Sequence, residues 1–187
     1  MTNLSVNINK IALLRNSRGS NFPNLLEVAA DCEIFGAQGI TVHPRPDQRH
    51  IRYDDIAPLK AQTITEFNIE GNPTKEFMQL VLNNTPHQCT LVPDSVTALT
   101  SDSGWDTITH ASLLKDIIGE LNAAGIRVSI FVDPAPKMVE GAKAVGAERI
   151  EFYTGPYAKH YNNNPEQAIA AYIEAAKVAD DIAIGIN

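Results

Sequence analysis

Short runs rich in Val and Ile recur along this chain, separated by longer stretches in which apolar residues return every three or four positions. The first pattern reads as strand and the second as helix. Leu4–Asn9 is the first strand, with Val and Ile interleaved by Ser and Asn, and a polar, Arg-containing stretch over 15–21 follows it. Pro23 and Asn24 open a helix to about Phe35, its apolar positions at helical spacing, and Gly36 closes it. The cycle then repeats. Gly39–His43 is a strand leading into a Pro-rich segment and a short helix near 54–62. Glu66–Glu70 is a strand with its helix over 74–83, and His87–Val92 is a strand followed by a long Ser/Thr/Asp loop. A long amphipathic helix over 108–124 precedes the strand Arg127–Val132, which has a helix to about Val145 after it. Glu148–Tyr153 is the next strand, then a YNNN loop, a helix from Pro165 to about Ala179, and a last apolar run over 181–186.

Strands alternating with helices imply parallel pairing through right-handed crossovers. No Gly-x-Gly-x-x-Gly follows the first strand, which leaves a dinucleotide-binding sheet with little support. The spacing points to an α/β protein of the (β/α)8 TIM-barrel type. Such barrels typically need ~250 residues, and this chain has 187. The expectation is a single TIM-barrel domain over 1–187, cut short after the seventh strand and lacking the eighth strand and last helices.

Composition narrows the class. At 44% hydrophobic and 20% charged the chain resembles an ordinary globular protein. Lys and Arg number 15 against 22 Asp and Glu, a net charge of −7, which argues against a general nucleic-acid binder. No stretch approaches the ~18 apolar residues of a membrane span, and the start lacks the pattern of a secretory signal. Cys32 and Cys89 alone cannot form a disulfide framework or a Cys-based zinc site. The expectation is a soluble, cytoplasmic protein with no membrane or nucleic-acid partner.

In a (β/α) barrel the chemistry gathers at the C-terminal ends of strands and in the loops after them. Those positions hold Asn7, Asn9 and Lys10, with Arg15 and Arg18 after them; His43, with Arg45, Arg49 and His50; Glu70; Pro93, with Thr100 in its loop; Asp133; and Glu151. A His, two Glu and several Arg around one rim suit an anionic substrate and acid–base chemistry. Each residue has a bland alternative. His43 fits a satisfied structural His, Glu70 a turn cap or an ion pair, Arg45 and Arg49 a solvated charge run, Arg18 a surface loop residue, and Asn7 and Asn9 backbone hydrogen bonding. His87, at the opposite end of its strand, reads as structural, and His110 and His160 as solvent-facing. A metal site at His43, His50 and Glu70 is disfavoured, because no H-x-H or H-E-x-x-H spacing exists and Arg45 would repel a dication.

The segments VNINKIALLRNSRG, GITVHPRPDQRHI, the NIE of EFNIEGNPT, LVPD with LTSDSGWD, and IEFYTGPYA resemble the pyridoxine 5′-phosphate synthase family over essentially the whole chain. The resemblance implies condensation of 1-deoxy-D-xylulose 5-phosphate with 3-amino-2-oxopropyl phosphate to give pyridoxine 5′-phosphate, phosphate and water, with no redox cofactor or required metal. It implies Glu70 as general base, His43 as a second acid–base group and Glu151 as a stabiliser of developing charge. Asn7 and Arg18 would contact the aminooxopropyl phosphate. Arg45, His50 and Thr100, with Asn9 and Lys10, would contact the deoxyxylulose phosphate. Arg18 would reach the active site of a neighbouring subunit, in a homo-octamer.

Two departures stand out. Many family members carry Asp-His where this chain has Asn9 and Lys10; Lys10 remains a cationic donor but cannot act as a neutral acceptor. Members also continue past the seventh strand with a His that serves as general acid and a Gly-His phosphate site. For a chain ending at Asn187 the expectation is unpaired strand edges, and with them inactivity and aggregation or rescue by another chain. The alternatives to this enzyme are a non-catalytic phosphate-binding or assembly module and another sugar-phosphate barrel enzyme, of which a Schiff-base aldolase would need Lys10.

Overall fold

The structure, a computed structural model, describes residues 2–94 and 101–187. It divides into two compact units, Met1–Cys89 and Thr90–Asn187. The first contains β1 (Ser5–Asn7), α1 (Asn9–Arg18), α2 (Leu25–Ile34), β2 (Gly39–Val42), α3 (Tyr53–Gln62), β3 (Glu66–Gly71) and α4 (Lys75–Asn84). β4 (Gln88–Leu91) carries the boundary. The second contains α5 (Ala111–Ala123), β5 (Arg127–Val132), α6 (Pro136–Ala144), β6 (Arg149–Phe152), α7 (Gly155–His160), α8 (Pro165–Asp181) and β7 (Gly185–Ile186). Within each unit the strands are parallel and neighbours in sequence are neighbours in the sheet. This is the α/β, TIM-barrel-like class that the alternation predicts.

The strands of the first unit are two-sided, as a side-chain period of two requires. The register pairs Val6 with Ile40 and Ile40 with Phe67, and Val42 with Ile69. Ile40, Val42, Phe67 and Ile69 are fully buried. The alternate positions are polar. Asn7 pairs with Thr41 and Thr41 with Asn68. A row of side-chain bonds crosses this face: Ser5 Oγ with Thr41 Oγ1 at 2.8 Å, Asn68 Nδ2 to Thr41 Oγ1 at 3.3 Å, and Gln88 Nε2 to Asn68 Oδ1 at 3.3 Å. Buried hydroxyls and amides are kept there because each finds a partner.

Helix starts follow their capping chemistry. Asn24 Oδ1 accepts the N–H groups of Leu26 and Glu27 before α2, Thr74 Oγ1 accepts Phe77 N–H before α4, and Asn164 Oδ1 accepts Gln167 N–H before α8. Gly71, at the end of β3, has Phe77 of α4 against its backbone, where a Cβ would run into the ring.

Some boundaries differ from the expectation. Asn9, Lys10, Arg15 and Arg18 belong to α1 and not to a strand end and loop. The turn comes early because Asn7 Oδ1 accepts the Asn9 N–H at 3.0 Å and Ile8 O accepts those of Ile11 and Ala12. α5 starts at Ala111 rather than 108, since Asp106 accepts the N–H groups of Ile108 and Thr109 and holds a turn there. α7 forms between β6 and the YNNN loop, where no element was expected, with Tyr157 tilted against Tyr161 and edge-on to Tyr172. Of the last apolar run, Asp181 ends α8, residues 182–184 turn away from it, and β7 is two residues long.

Candidate active site

Three consecutive parallel strands of the first unit bring four of the expected residues together. Glu70 lies near the end of β3, His43 one residue past β2, and Asn7 at the end of β1. Asn7 Nδ2 donates to Glu70 Oε2 at 3.5 Å, a long contact, while its Oδ1 accepts the Asn9 N–H. Asn9 Oδ1 in turn accepts the His43 backbone N–H at 2.8 Å. A continuous line of hydrogen bonds thus joins the carboxylate on β3 to the backbone of the imidazole residue after β2. Asn9 spends one oxygen on this link, so the bland reading of Asn9 as a backbone partner describes part of its work.

His43 and His50 stand edge to face, ring centroids 6.2 Å apart. His43 and Arg45 are buried, while Arg49 and His50 are half-buried. Burial is the largest cause holding the His43 pKa down at about 3, and the charge of Arg45 adds to it, with smaller contributions from His50 and Arg49. Burial likewise leads at His50, lowered to about 4, reinforced by Arg45, Arg49 and Lys10 and opposed by Asp47. Both imidazoles are therefore neutral at pH 7. The same positive surroundings favour a dianion. Arg49 is itself held by Asp47, Nε to Oδ2 at 2.8 Å.

Lys10 is exposed in the first turn of α1, not in the buried setting that a Schiff-base lysine requires. Arg18, the last residue of α1, is exposed and lies nine residues beyond Asn9, about 14 Å along a helix; it is not gathered with His43 and Glu70. Thr100 lies outside the described residues. Cys89 on β4 is fully buried, and burial followed by the charge of Glu70 pushes its thiol pKa upward, which makes it a poor nucleophile. His87 Nδ1 accepts the Phe67 N–H at 2.9 Å, a structural use.

Glu151 stands in the second unit, on β6 opposite Phe131 of β5. Burial pushes its carboxyl up to about 7, against the pull of a hydrogen bond from the Asn187 amide. That amide also donates to Ser129 Oγ at 2.8 Å, and its oxygen accepts from Arg149 Nη1 at 3.3 Å. A carboxyl titrating near neutrality is suited to proton transfer. Among the described residues no three His, Cys, Asp or Glu side chains are gathered as a metal ion would need, and no helix is long and apolar enough to cross a membrane.

Sequence reasoning placed Arg15 and Arg49 on the candidate rim without assigning either a role, and passed over Asn16, Asp55 and Asn187. A signal for Arg15 was available. Ile8, Ala12 and Arg15 are spaced four and three apart, all three are buried, and a cation on a buried helix face demands a partner.

The family described as pyridoxal phosphate biosynthesis protein PdxJ matches residues 4–187. A protein of Cytophaga hutchinsonii named pyridoxine 5′-phosphate synthase is 62% identical over 187 residues, covering 100% of this chain and 79% of its own length. Proteins of the same name from Christiangramia forsetii and Bacteroides thetaiotaomicron are 57% and 56% identical, with the same coverage. Among solved structures, mandelate oxidase with benzoyl-formic acid is similar with a TM-score of 0.59 at 11% identity, over 86% of this chain and 56% of that one. At that identity the likeness speaks for the fold alone.

Proposed function

Because this chain belongs to the PdxJ family of pyridoxal phosphate biosynthesis proteins, we propose that the cluster at the ends of β1, β2 and β3 is where it handles two phosphorylated substrates. The activity is that of a pyridoxine 5′-phosphate synthase, joining 1-deoxy-D-xylulose 5-phosphate to 3-amino-2-oxopropyl phosphate with loss of phosphate and water. Imine formation, elimination and carbon–carbon bond formation each move protons, and the line from Glu70 through Asn7 and Asn9 to His43 is the observation that carries the assignment.

In this reading Glu70 is the general base, its carboxylate held by the Asn7 amide. His43 enters as a neutral imidazole, able to accept a proton at one ring nitrogen and donate from the other. Glu151 stabilises developing charge and, with its pKa near 7, exchanges a proton at little cost. Arg45 and His50, together with Thr100, Asn9 and Lys10, receive the deoxyxylulose phosphate, for which Arg offers charge-assisted, two-pronged donors. Asn7 and Arg18 receive the aminooxopropyl phosphate. Arg18 acts on a neighbouring subunit of a homo-octamer, a role supported by its exposure at the far end of α1. The same reading takes 1–187 as one barrel domain working in the cytoplasm without cofactor, metal, membrane or nucleic acid.

The test is formation of pyridoxine 5′-phosphate from the two substrates. Glu70→Gln abolishes it, and Arg18→Ala does the same; mixing the two inactive variants as dissociated and reassembled protein restores a fraction of the activity. Wild-type turnover by Glu70→Gln would refute the base assignment. Failure of the mixed oligomer to recover, with both parents folded, would refute the shared site.

A further inference from the structure

A row of side chains without a role in the scheme above runs from the start of α3 to the loop that carries His50. Arg15 lies on the buried side of α1 and is only 4% exposed. Its guanidinium grips Asp55 with two prongs, Nη1 to Oδ1 at 2.7 Å and Nη2 to Oδ2 at 2.8 Å. Asp55 also accepts the Arg52 N–H at 2.7 Å. Toward the loop, Arg15 donates from Nε and Nη2 to Asn16 Oδ1 at 3.1 and 3.0 Å. Those two donors decide which way the Asn16 amide faces: oxygen to the guanidinium, NH2 to the loop. The NH2 donates to His50 O at 2.7 Å and Arg49 O at 3.1 Å, and Arg15 Nη2 reaches His50 O at 3.4 Å. The row ends on the imidazole. Ile51, whose side chain is fully buried, donates its backbone N–H to His50 Nδ1 at 2.9 Å.

A ring nitrogen that accepts a backbone N–H carries no proton, so the proton of a neutral His50 sits on Nε2. That tautomer offers an N–H to an anion, whereas the other would turn a lone pair toward it. We infer that Asp55, Arg15 and Asn16 are positioning residues that fix the Gln48–Ile51 loop and hold His50 as an Nε2–H donor for a substrate phosphate. The inference rests on the reading of His50 as a contact of the deoxyxylulose phosphate, though the tautomer itself does not. Burial, and after it the basic residues around the ring, keep His50 from taking a second proton, which fits the same arrangement.

Asn16→Ala is the informative variant, because it removes the amide at the loop and leaves the Arg15–Asp55 pair intact. Ring nitrogens are read by magic-angle-spinning NMR of histidine-labelled full-length protein at pH 7.5, with the His50 signals identified by their loss in His50→Ala. Wild type is expected to show Nδ1 bare and Nε2 protonated, and Asn16→Ala a mixture of tautomers. The KM for 1-deoxy-D-xylulose 5-phosphate is expected to rise about five- to tenfold, with kcat and the KM for 3-amino-2-oxopropyl phosphate within about twofold. Asn16→Gln, which keeps the donor, is expected to recover part of that loss. A wild-type His50 protonated on Nδ1, or an Asn16→Ala protein with unchanged tautomer and KM, overturns the inference. A His50→Ala protein with unchanged KM overturns the phosphate contact beneath it, a separate result because the tautomer is read without substrate.

Discussion

The first unit keeps His43 and His50 neutral, and the second keeps Glu151 close to half-protonated. Burial leads in each case, yet the companions differ. Around His43 and His50 the charges of Arg45 and Arg49, joined by Lys10 at His50, add to burial and hold the pKa values at about 3 and 4. Beside Glu151 stands the neutral amide of Asn187, which only partly offsets burial and leaves the carboxyl at about 7. Desolvation alone thus brings a carboxylic acid into the working range, whereas desolvation plus cations takes an imidazole out of it until an anion arrives. A phosphate dianion in the first unit would reverse part of that effect and raise the histidine pKa values.

The largest blow to this contrast is Glu70→Gln, which removes the proposed base and is expected to lower kcat by at least a hundredfold, read by product formation at saturating substrates. Unchanged kcat would move the base to Glu151. Next comes Asp55→Ala, which strands the Arg15 guanidinium in a buried position. It should cost about 3 kcal/mol in urea unfolding, while Asp55→Asn, still an acceptor, costs less. Gly71→Ala pushes a Cβ into Phe77 and should cost roughly 1–3 kcal/mol by the same measurement.

The smallest effects are pH slopes, and the two regions give them opposite signs. His43 has an ordinary pKa of 6.5 unfolded and about 3 folded, so between those values the unfolded chain binds more protons. Its contribution is complete above pH 6.5 and stability falls as pH drops below that; His43→Gln should flatten the acid side of a melting-temperature profile. Glu151 runs the other way. Its pKa rises from 4.5 to about 7 on folding, so the folded state binds more protons in that window and stability declines as pH rises through it. Glu151→Gln should remove that decline. Profiles unchanged by both substitutions would erase the contrast.

Much of this was legible in the chain. Alternating β-branched runs and helical stretches gave the strand order, since period two and period 3.6 are strong signals. Asn7, His43 and Glu70 were legible as strand-end residues because each follows an apolar run. The start of α1 was not, because it depends on Asn7 bending back on Asn9, a side-chain choice that hydrophobic pattern does not encode. The work of Arg15 and Asn16 was hidden for a related reason: their partners, Asp55 and the carbonyls near His50, lie more than thirty positions away. The pKa of Glu151 was hidden too, since its environment comes from strands on either side.

The two-sidedness of β3 has a consequence for how such a chain can change. Phe67 and Ile69 serve the packed side, Asn68 and Glu70 the polar side, and the two sets interleave residue by residue. Substitution can edit either message alone. Losing or gaining one residue within the strand exchanges them, sending the carboxylate toward the apolar layer and the phenyl ring toward the polar one. Changes of length are therefore confined to the connections, and the four letters F-N-I-E behave as a frame that is inherited whole.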